Sequence, residues 1–420
     1  MGIRKKFLTL LKSRHIHVRI KRKNQKNKVL RFFSCIALII SLGSPICILL
    51  SILVNSYSAL TVTKILLPIY VTEDNITLSN EIYDLRDLRN EYIELINNSI
   101  KQTLPQTDLK NYNEVLNRNA YKELKSSLNK GVKPGKHEFW FTASSIINSI
   151  NKGKTSDPYY NTLFESLKKN GRVKKFFNKS LFSKSDSSEP ENAGILGALV
   201  GSLITITVCL MIALPIGVMS GIFLSEFMSK NSLLTSIIEI SINNLAAVPS
   251  IIFGVVGLAL YLGIFGLPRS SPLVGGMTLA LMVLPNIIIT TKNAFASVPI
   301  IIKDAAFAIG ASNIKVILDH SLPIAIPRII HGTILGIARV LGESSPLLMI
   351  GMVAFIVDIP KSFLDPATVL PVQIYIWSNS PEIASTELAA IAIIALLLIL
   401  FTLNLIANFV KRKFESLNFS

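Results

Sequence analysis

Apolar residues along the chain gather into six long runs, Phe32–Val54, Ile195–Leu224, Val248–Leu267, Leu273–Thr291, Ile329–Gly351 and Leu388–Phe409. A bilayer core about 30 Å thick needs roughly 20 helical residues to cross it, and each run approaches or exceeds that length. The pattern therefore predicts six transmembrane helices in an all-α membrane protein. Between the first and second runs the pattern changes. Asn55–Asn192 is polar, mixed in charge, carries helix-like stretches such as Glu81–Ile100, and is long enough for a small domain. Its end, "SKSDSSEPEN", reads as a flexible linker. The expected organisation is a basic tail over 1–31, a first helix over 32–54, a domain and linker over 55–192, a five-helix bundle over 193–413 and a tail over 414–420.

Half of the 420 residues are apolar, 16% are charged and the mean hydropathy is +0.50, too oily for an ordinary soluble domain. The net charge of +17 changes the picture only through its placement. Met1–Arg31 carries 12 Lys/Arg and no Asp/Glu directly before the first run, and Lys411, Arg412 and Lys413 follow the last. This positive-inside signature puts both ends in the cytoplasm and argues against a nucleic-acid partner. A tail attracted only to anionic lipid of the bilayer would carry the same charge. The first run is longer than a signal peptide's apolar core and reads as an uncleaved anchor, with Ser56–Leu60 the one weak cleavage site. Asn55–Asn192 then lies outside the cytoplasm, since long loops translocate regardless of charge. Ser232–Asn244, with Leu233, Leu234, Ile237, Ile238 and Ile240 among polar residues, reads as an interfacial helix on the cytoplasmic side.

Little in the chain points to catalysis. Cys35, Cys47 and Cys209 all fall inside apolar runs and read as small buried hydrophobes, not as ligands or bridges. "NKGKTSDP" resembles a phosphate-binding loop but fails it. Asn148 stands where the first glycine belongs, and Asp157-Pro158 follows where a helix should begin. There is no H-E-x-x-H and no cysteine pair with metal spacing, so neither an enzyme nor a metal or other cofactor is expected. Gly194, Gly197 and Gly201 fall near one face of the second run, where small residues let helices approach closely. Pro215, Pro249 and Pro285 interrupt three spans and imply kinks.

The loop over Lys292–Arg328, between the fourth and fifth runs, is cytoplasmic by this topology. It holds Asp304-Ala305-Ala306, then Gly310, then Leu322-Pro323, which reads as two short helices joined by a glycine, with an apolar face suited to docking. This resembles the E-A-A…G…L-P loop of ABC importer permeases, whose short helices insert into a cleft of the ATPase subunit. The wider run of "NNLAAVPSIIFGVVGLAL", "GGMTLALMVLPNIIITTKNAFASVP", the loop itself and "GIARVLGESSPLLMIG" resembles the A-type permease of the bacterial phosphate-specific transport system, over about Ala193–Lys413. The resemblance implies a type I ABC importer permease fold in the inner membrane, with an extracytoplasmic domain inserted between helices 1 and 2. It implies as partners a homologous C-type permease, a cytoplasmic ATP-binding subunit that hydrolyses the ATP, and a periplasmic phosphate-binding protein. Two positions depart from the family. Asp304 replaces its usual glutamate, and Glu343-Ser344-Ser345-Pro346 replaces Glu-Thr-Ala-Pro while keeping a hydroxyl at Ser344. A permease for sulfate, molybdate or phosphonate, or a membrane sensor or scaffold, are the other readings.

Arg339 and Glu343 are the only charged side chains in the six runs away from their ends. Counted from Arg328, eleven residues place Arg339 roughly 16 Å into the membrane, and i,i+4 spacing puts both side chains on one helical face. A charge at that depth costs about 2.5–3.5 kcal/mol, so it should face a partner or an aqueous path. One reading is a structural ion pair that locks the bundle. The other is a substrate path lined by Arg339, Glu343 and Ser344, in which the arginine fork takes phosphate oxygens and the glutamate accepts the O–H of hydrogen phosphate, which sulfate lacks.

Overall fold

The computed structural model of the chain describes residues 2–72, 85–104, 111–129, 132–229 and 232–418. It divides into two units, Met1–Val54 and Asn55–Ser420. The first unit is most of helix α1 (Gly2–Ala59), of which Leu30–Ala59 is long and apolar enough to cross a membrane. Cys35 and Cys47 are exposed there, and only Cys209 is buried. A helix apolar on every side offers lipid-facing positions as well as packed ones, so an apolar setting in the sequence did not guarantee burial.

The second unit begins with a mixed domain of strands and helices, whose fold the hydrophobic pattern left open. Strands β1 (Thr61–Val71), β2 (Gly135–Thr142) and β3 (Val173–Phe177) form an antiparallel sheet in the order β2-β1-β3. Leu67 sits opposite Phe139, and Thr63 opposite Lys175. Ile65, Leu67, Ile69 and Val71 alternate into the core, as a strand's two-residue period requires. That alternation is masked in the sequence because Val62 and Pro68, on the other face, are apolar and buried too. Pro68 fits because β3 pairs with β1 only as far as Ile65, so one edge of β1 is free of a ladder at the proline. Helix α2 (Leu85–Thr103) contributes Tyr92, Ile96 and Ile100 at four-residue spacing, and α3 (Ala120–Leu128) contributes Leu124 and Leu128. Of the predicted Glu81–Ile100 helix, Glu81–Asp84 lie outside the described residues. Helices α4 (Ser145–Asn151) and α5 (Pro158–Lys169) complete the domain, with the Asp157 carboxylate accepting the Tyr159 N–H at 3.0 Å as the cap of α5.

The expected flexible linker is a packed joint. After the short helix α6 (Ser180–Ser183), the N–H groups of Gly194, Ile195 and Leu196 bond the carbonyls of Ser185, Leu181 and Lys184 at 2.8, 2.9 and 3.1 Å. Two of its polar residues, Ser185 and Asp186, a flexibility signal by composition, are instead buried with partners. Ser185 donates to the Ile356 carbonyl at 2.9 Å, and Gln373 and Trp377 donate to the Asp186 carboxylate at 3.0 and 3.1 Å. Gly194 and Gly197 make their close approach to this joint, and Gly201 to Thr368, instead of to another membrane helix.

The helices that follow are α7 (Leu196–Ile222), α8 (Leu233–Ala246), α9 (Ser250–Gly257), α10 (Pro272–Ala296), α11 (Ile300–Ala308), α12 (Asn313–Leu341), α13 (Ser345–Met349), α14 (Leu370–Ser378) and α15 (Ile383–Asn418). Among the described residues five helices, beginning at Leu30, Leu196, Pro272, Asn313 and Ile383, are long and apolar enough to span, and a sixth span requires α8 and α9 to count as one segment bent by 95°. The third predicted span is thus shorter than expected. α9 and the π turn that continues it to Ile264 hold 8 and 7 residues, roughly 22 Å of helix against a core of about 30 Å. Pro249 starts α9 instead of kinking a span, whereas Pro215 and Pro285 lie inside α7 and α10. α8 exposes Leu233, Leu234, Ile237 and Ile240 and buries only Thr235. α7 and α10 pack through Cys209, Ala213, Val283 and Ile287.

Candidate functional site

The largest revision concerns the helix that carries the charged pair. The predicted fifth span, Ile329–Gly351, is displaced toward the N-terminus, as α12 starts at Asn313 and ends at Leu341. It runs straight through Leu322-Pro323, because a π turn at Val316–Ser321 shifts the hydrogen-bond ladder just where the proline lacks an N–H. The second short helix expected in the Lys292–Arg328 loop is therefore the start of the span itself. At the other end Gly342 closes α12, and α13 opens with Pro346 in its first turn, where a missing N–H is harmless. Arg339 consequently stands in the last turn of α12, roughly 39 Å along it, and Glu343 lies beyond the helix end.

The two charges are not a bonded pair. Among the described residues no ion pair or hydrogen bond joins Arg339 to Glu343. Arg339 is exposed, while Glu343 and Ser344 are half-buried. The Glu343 N–H bonds the Val340 carbonyl at 3.0 Å, and the Ser344 carbonyl accepts the Leu348 N–H at 2.9 Å, so the backbone on both sides of the break is held. The break is also wedged from outside. A Cβ on Gly254 of α9 would stand 2.7 Å from Pro346, which lets α9 press directly on α13. The result is a rigid corner presenting one free guanidinium, a carboxylate and a hydroxyl. Such a corner can take an oxyanion in the arginine fork.

The loop residues form a second surface. Asp304 and Ala305 are exposed on α11, Ala306 is buried, and Gly310 holds φ of +85° between α11 and α12. Lys303 of α11 donates to Glu226 in the π turn after α7 at 2.7 and 2.9 Å, and Lys292 near the end of α10 pairs with Glu239 in the middle of α8 at 2.5 Å. Ile300, Ile301, Ile309 and Ile314 are exposed around it. Leu322 and Pro323 are half-buried inside α12.

Sequence reasoning missed the buried charges at the joint. The Glu387 carboxylate of α15 takes Lys152 at 2.7 Å, Lys154 at 2.9 Å and the Ser58 hydroxyl at 2.8 Å. Both lysines belong to the stretch that imitates a phosphate-binding loop. Asn148, in the place of that motif's first glycine, is buried and accepts the Thr63 N–H and hydroxyl at 3.1 and 2.9 Å. An acid directly before a long apolar run was the available signal. Glu191 is buried nearby, accepts the Ser145 hydroxyl at 3.1 Å, and has its carboxyl pushed up to about 7 by burial. Among the described residues no group of His, Cys, Asp and Glu could hold a metal ion.

Residues 213–416 match the family described as binding-protein-dependent transport system inner membrane component, and residues 17–159 match a domain of unknown function (DUF3333). A phosphate transport system permease protein PstA of Haemophilus influenzae is 32% identical over 232 residues, covering 53% of this chain and 79% of that protein. PstA 1 of Mycobacterium tuberculosis is 29% identical over 171 residues, covering 41% of this chain and 56% of the relative, and a probable PstA of Methanocaldococcus jannaschii is 33% identical over 129 residues, covering 31% and 46%. The chain thus spans about half the length of several curated relatives it matches. A solved inward-facing MetNI methionine ABC transporter is 17% identical, with a TM-score of 0.41 over 53% of this chain and 94% of that one. With four-fifths of the Haemophilus relative aligned above 30% identity and the transport-system family matched from α7 to α15, the chain belongs to the PstA family of binding-protein-dependent inner-membrane permeases.

Proposed function

We propose that the chain is a membrane-embedded permease subunit of an ATP-driven phosphate importer. It forms part of the translocation path through Arg339, Glu343 and Ser344 and engages a separate ATP-hydrolysing subunit through Asp304, Ala305, Ala306, Gly310, Leu322 and Pro323. The PstA relatives supply the substrate class. The observation that carries the site is the free Arg339 guanidinium at a helix break, since a structural pair would have bonded it to Glu343. A second permease of the C type, which the similarity to a PstC of Pasteurella multocida supports, and an external phosphate-binding protein complete the assembly. In this reading the basic N-terminal tail and the loop around Gly310 face the cytoplasm, and the sheet domain faces outside.

Phosphate uptake tests it. Arg339→Gln should abolish transport with assembly intact, and Arg339→Lys should rescue poorly because an ammonium cannot reproduce the bidentate fork. Wild-type uptake by the Arg339→Gln/Glu343→Gln double variant would remove both residues from the path. Orientation is checked by cysteines at the exposed Ser183 and Ser312, in a background lacking Cys35, Cys47 and Cys209. They should label from opposite sides, and labelling from one side would overturn the topology.

A further inference from the structure

An open cavity of about 890 Å³ lies between α3, the sheet and the Lys179–Asn192 segment, with Val357–Ile359 along one side. Its volume is in the range of small-molecule sites, about 300–1,000 Å³. Four lysines line it, Lys64, Lys122, Lys179 and Lys184, against four carboxylates. Most of the carboxylates are already engaged. Glu123 accepts the Thr142 hydroxyl and N–H at 2.6 and 3.1 Å and holds Lys64 at 3.9 Å. Asp186 accepts Gln373, Trp377 and the Ser187 N–H. Glu191 is buried and partly neutral near pH 7. Only Asp358 is an exposed, uncommitted acid on the lining.

Three of the lysines lack a carboxylate partner, Lys122 lying only over the Tyr121 ring at 5.8 Å. Among the described residues no ion pair involves Lys122, Lys179 or Lys184, and all three are exposed. The cavity therefore offers three ammonium groups that no carboxylate pairs among the described residues, with the Ser126 and Ser180 hydroxyls beside them. Its wall is fixed, since the Lys184 carbonyl caps the start of α7 through the Leu196 N–H. Lysine is a compact cation with three donors that suits the spread charge of a phosphate.

We propose that this cavity binds a phosphate-class anion through Lys122, Lys179 and Lys184, at a site separate from the break in α12. Two sources share that chemistry. One is free inorganic phosphate. The other is the headgroup of a lipid, because Phe177 and Phe182 stack in exposed positions 6.1 Å apart beside these lysines, and Leu181 between them packs with Ile195 and Leu388 at the starts of α7 and α15. Lysine suits a membrane–water interface, with its apolar stem along apolar surface and its charged tip in water.

The test uses the full chain in nanodiscs of phosphatidylcholine, with radiolabelled inorganic phosphate as the probe. Wild type and Arg339→Gln should bind saturably, and Lys122→Gln/Lys179→Gln/Lys184→Gln should raise Kd by about tenfold or more. Circular dichroism should be unchanged, because the three side chains are exposed. Nanodiscs containing phosphatidylglycerol separate the sources. A headgroup occupant suppresses phosphate binding there, and the lipid co-purifies with wild type but not with the triple variant. A free-phosphate site binds equally in both lipids. The inference is overturned if the triple variant matches wild type for both phosphate and phosphatidylglycerol. It is also overturned if phosphate binding disappears only in Arg339→Gln, a result that would leave the transport reading standing.

Discussion

Glu191 shows how far a single residue's chemistry can depend on pieces of chain that meet only in the fold. Burial dominates its titration, and the hydrogen bond from Ser145 lowers the carboxyl less than burial raises it. Because the folded value of about 7 lies above the ordinary 4.5, the neutral acid's contribution to stability is full below about pH 4.5 and is lost as pH rises through 7. Glu191→Gln keeps an acceptor for Ser145 but no titrating proton. The variant should melt with wild type at pH 4.5 and be more stable at pH 8, by up to roughly 3 kcal/mol. Thermal unfolding at the two pH values checks this, and an equal gap at both would show that folding does not raise the Glu191 pKa. Nothing in "SSEPEN" announces such a residue, since its burial is created by Ser145 and the joint. Arg339, by contrast, was legible at once, because a charge inside an apolar run needs a reason whatever the fold.

Elements were legible where hydrophobic periodicity had no competitor, and misread where an apolar run continued across a backbone break. α7, α10 and α15 lie where the runs predicted them. The end of α12 did not, because Gly342–Pro346 is flanked by apolar residues on both sides, and its start was hidden because a π turn leaves no mark in composition. Gly310 was read correctly as a joint, and the structure says why it is glycine. No atom lies within 4 Å of where a Cβ would stand, so space is not the constraint, but a φ of +85° costs an ordinary side chain roughly 1–2 kcal/mol. Gly310→Val should therefore reorient α11 against α12 and cut phosphate uptake and capture of the ATP-hydrolysing subunit. Gly310→Asn, which tolerates this region, should retain most of both. Equal loss from the two substitutions would point to side-chain size at the docked surface, not to backbone strain.

At the scale of the whole molecule the sheet domain and the last span share one buried ionic joint. The side chains of Lys152 and Glu387 are only 7% and 4% exposed, and Lys154, at 26%, reaches the same carboxylate from nearer the surface. Two lysines on one glutamate leave a surplus positive charge, offset in part by the access of Lys154 to water. Removing the acid alone strands a buried ammonium, a change that costs about 3–5 kcal/mol in comparable sites, whereas replacing a buried pair by apolar groups of similar size is often neutral. Glu387→Ala should therefore lower the melting temperature sharply and expose the sheet domain to protease. Lys152→Met/Glu387→Leu should recover most of the loss, with Lys154 turning outward to solvent. Both proteins should be assayed for uptake in the same membranes. If the double variant is stable yet transports poorly, the charges transmit motion between the domain and α15. If it transports normally, they serve only to hold the domain in place, and a Glu387→Ala variant that melts with wild type would show that the joint holds nothing.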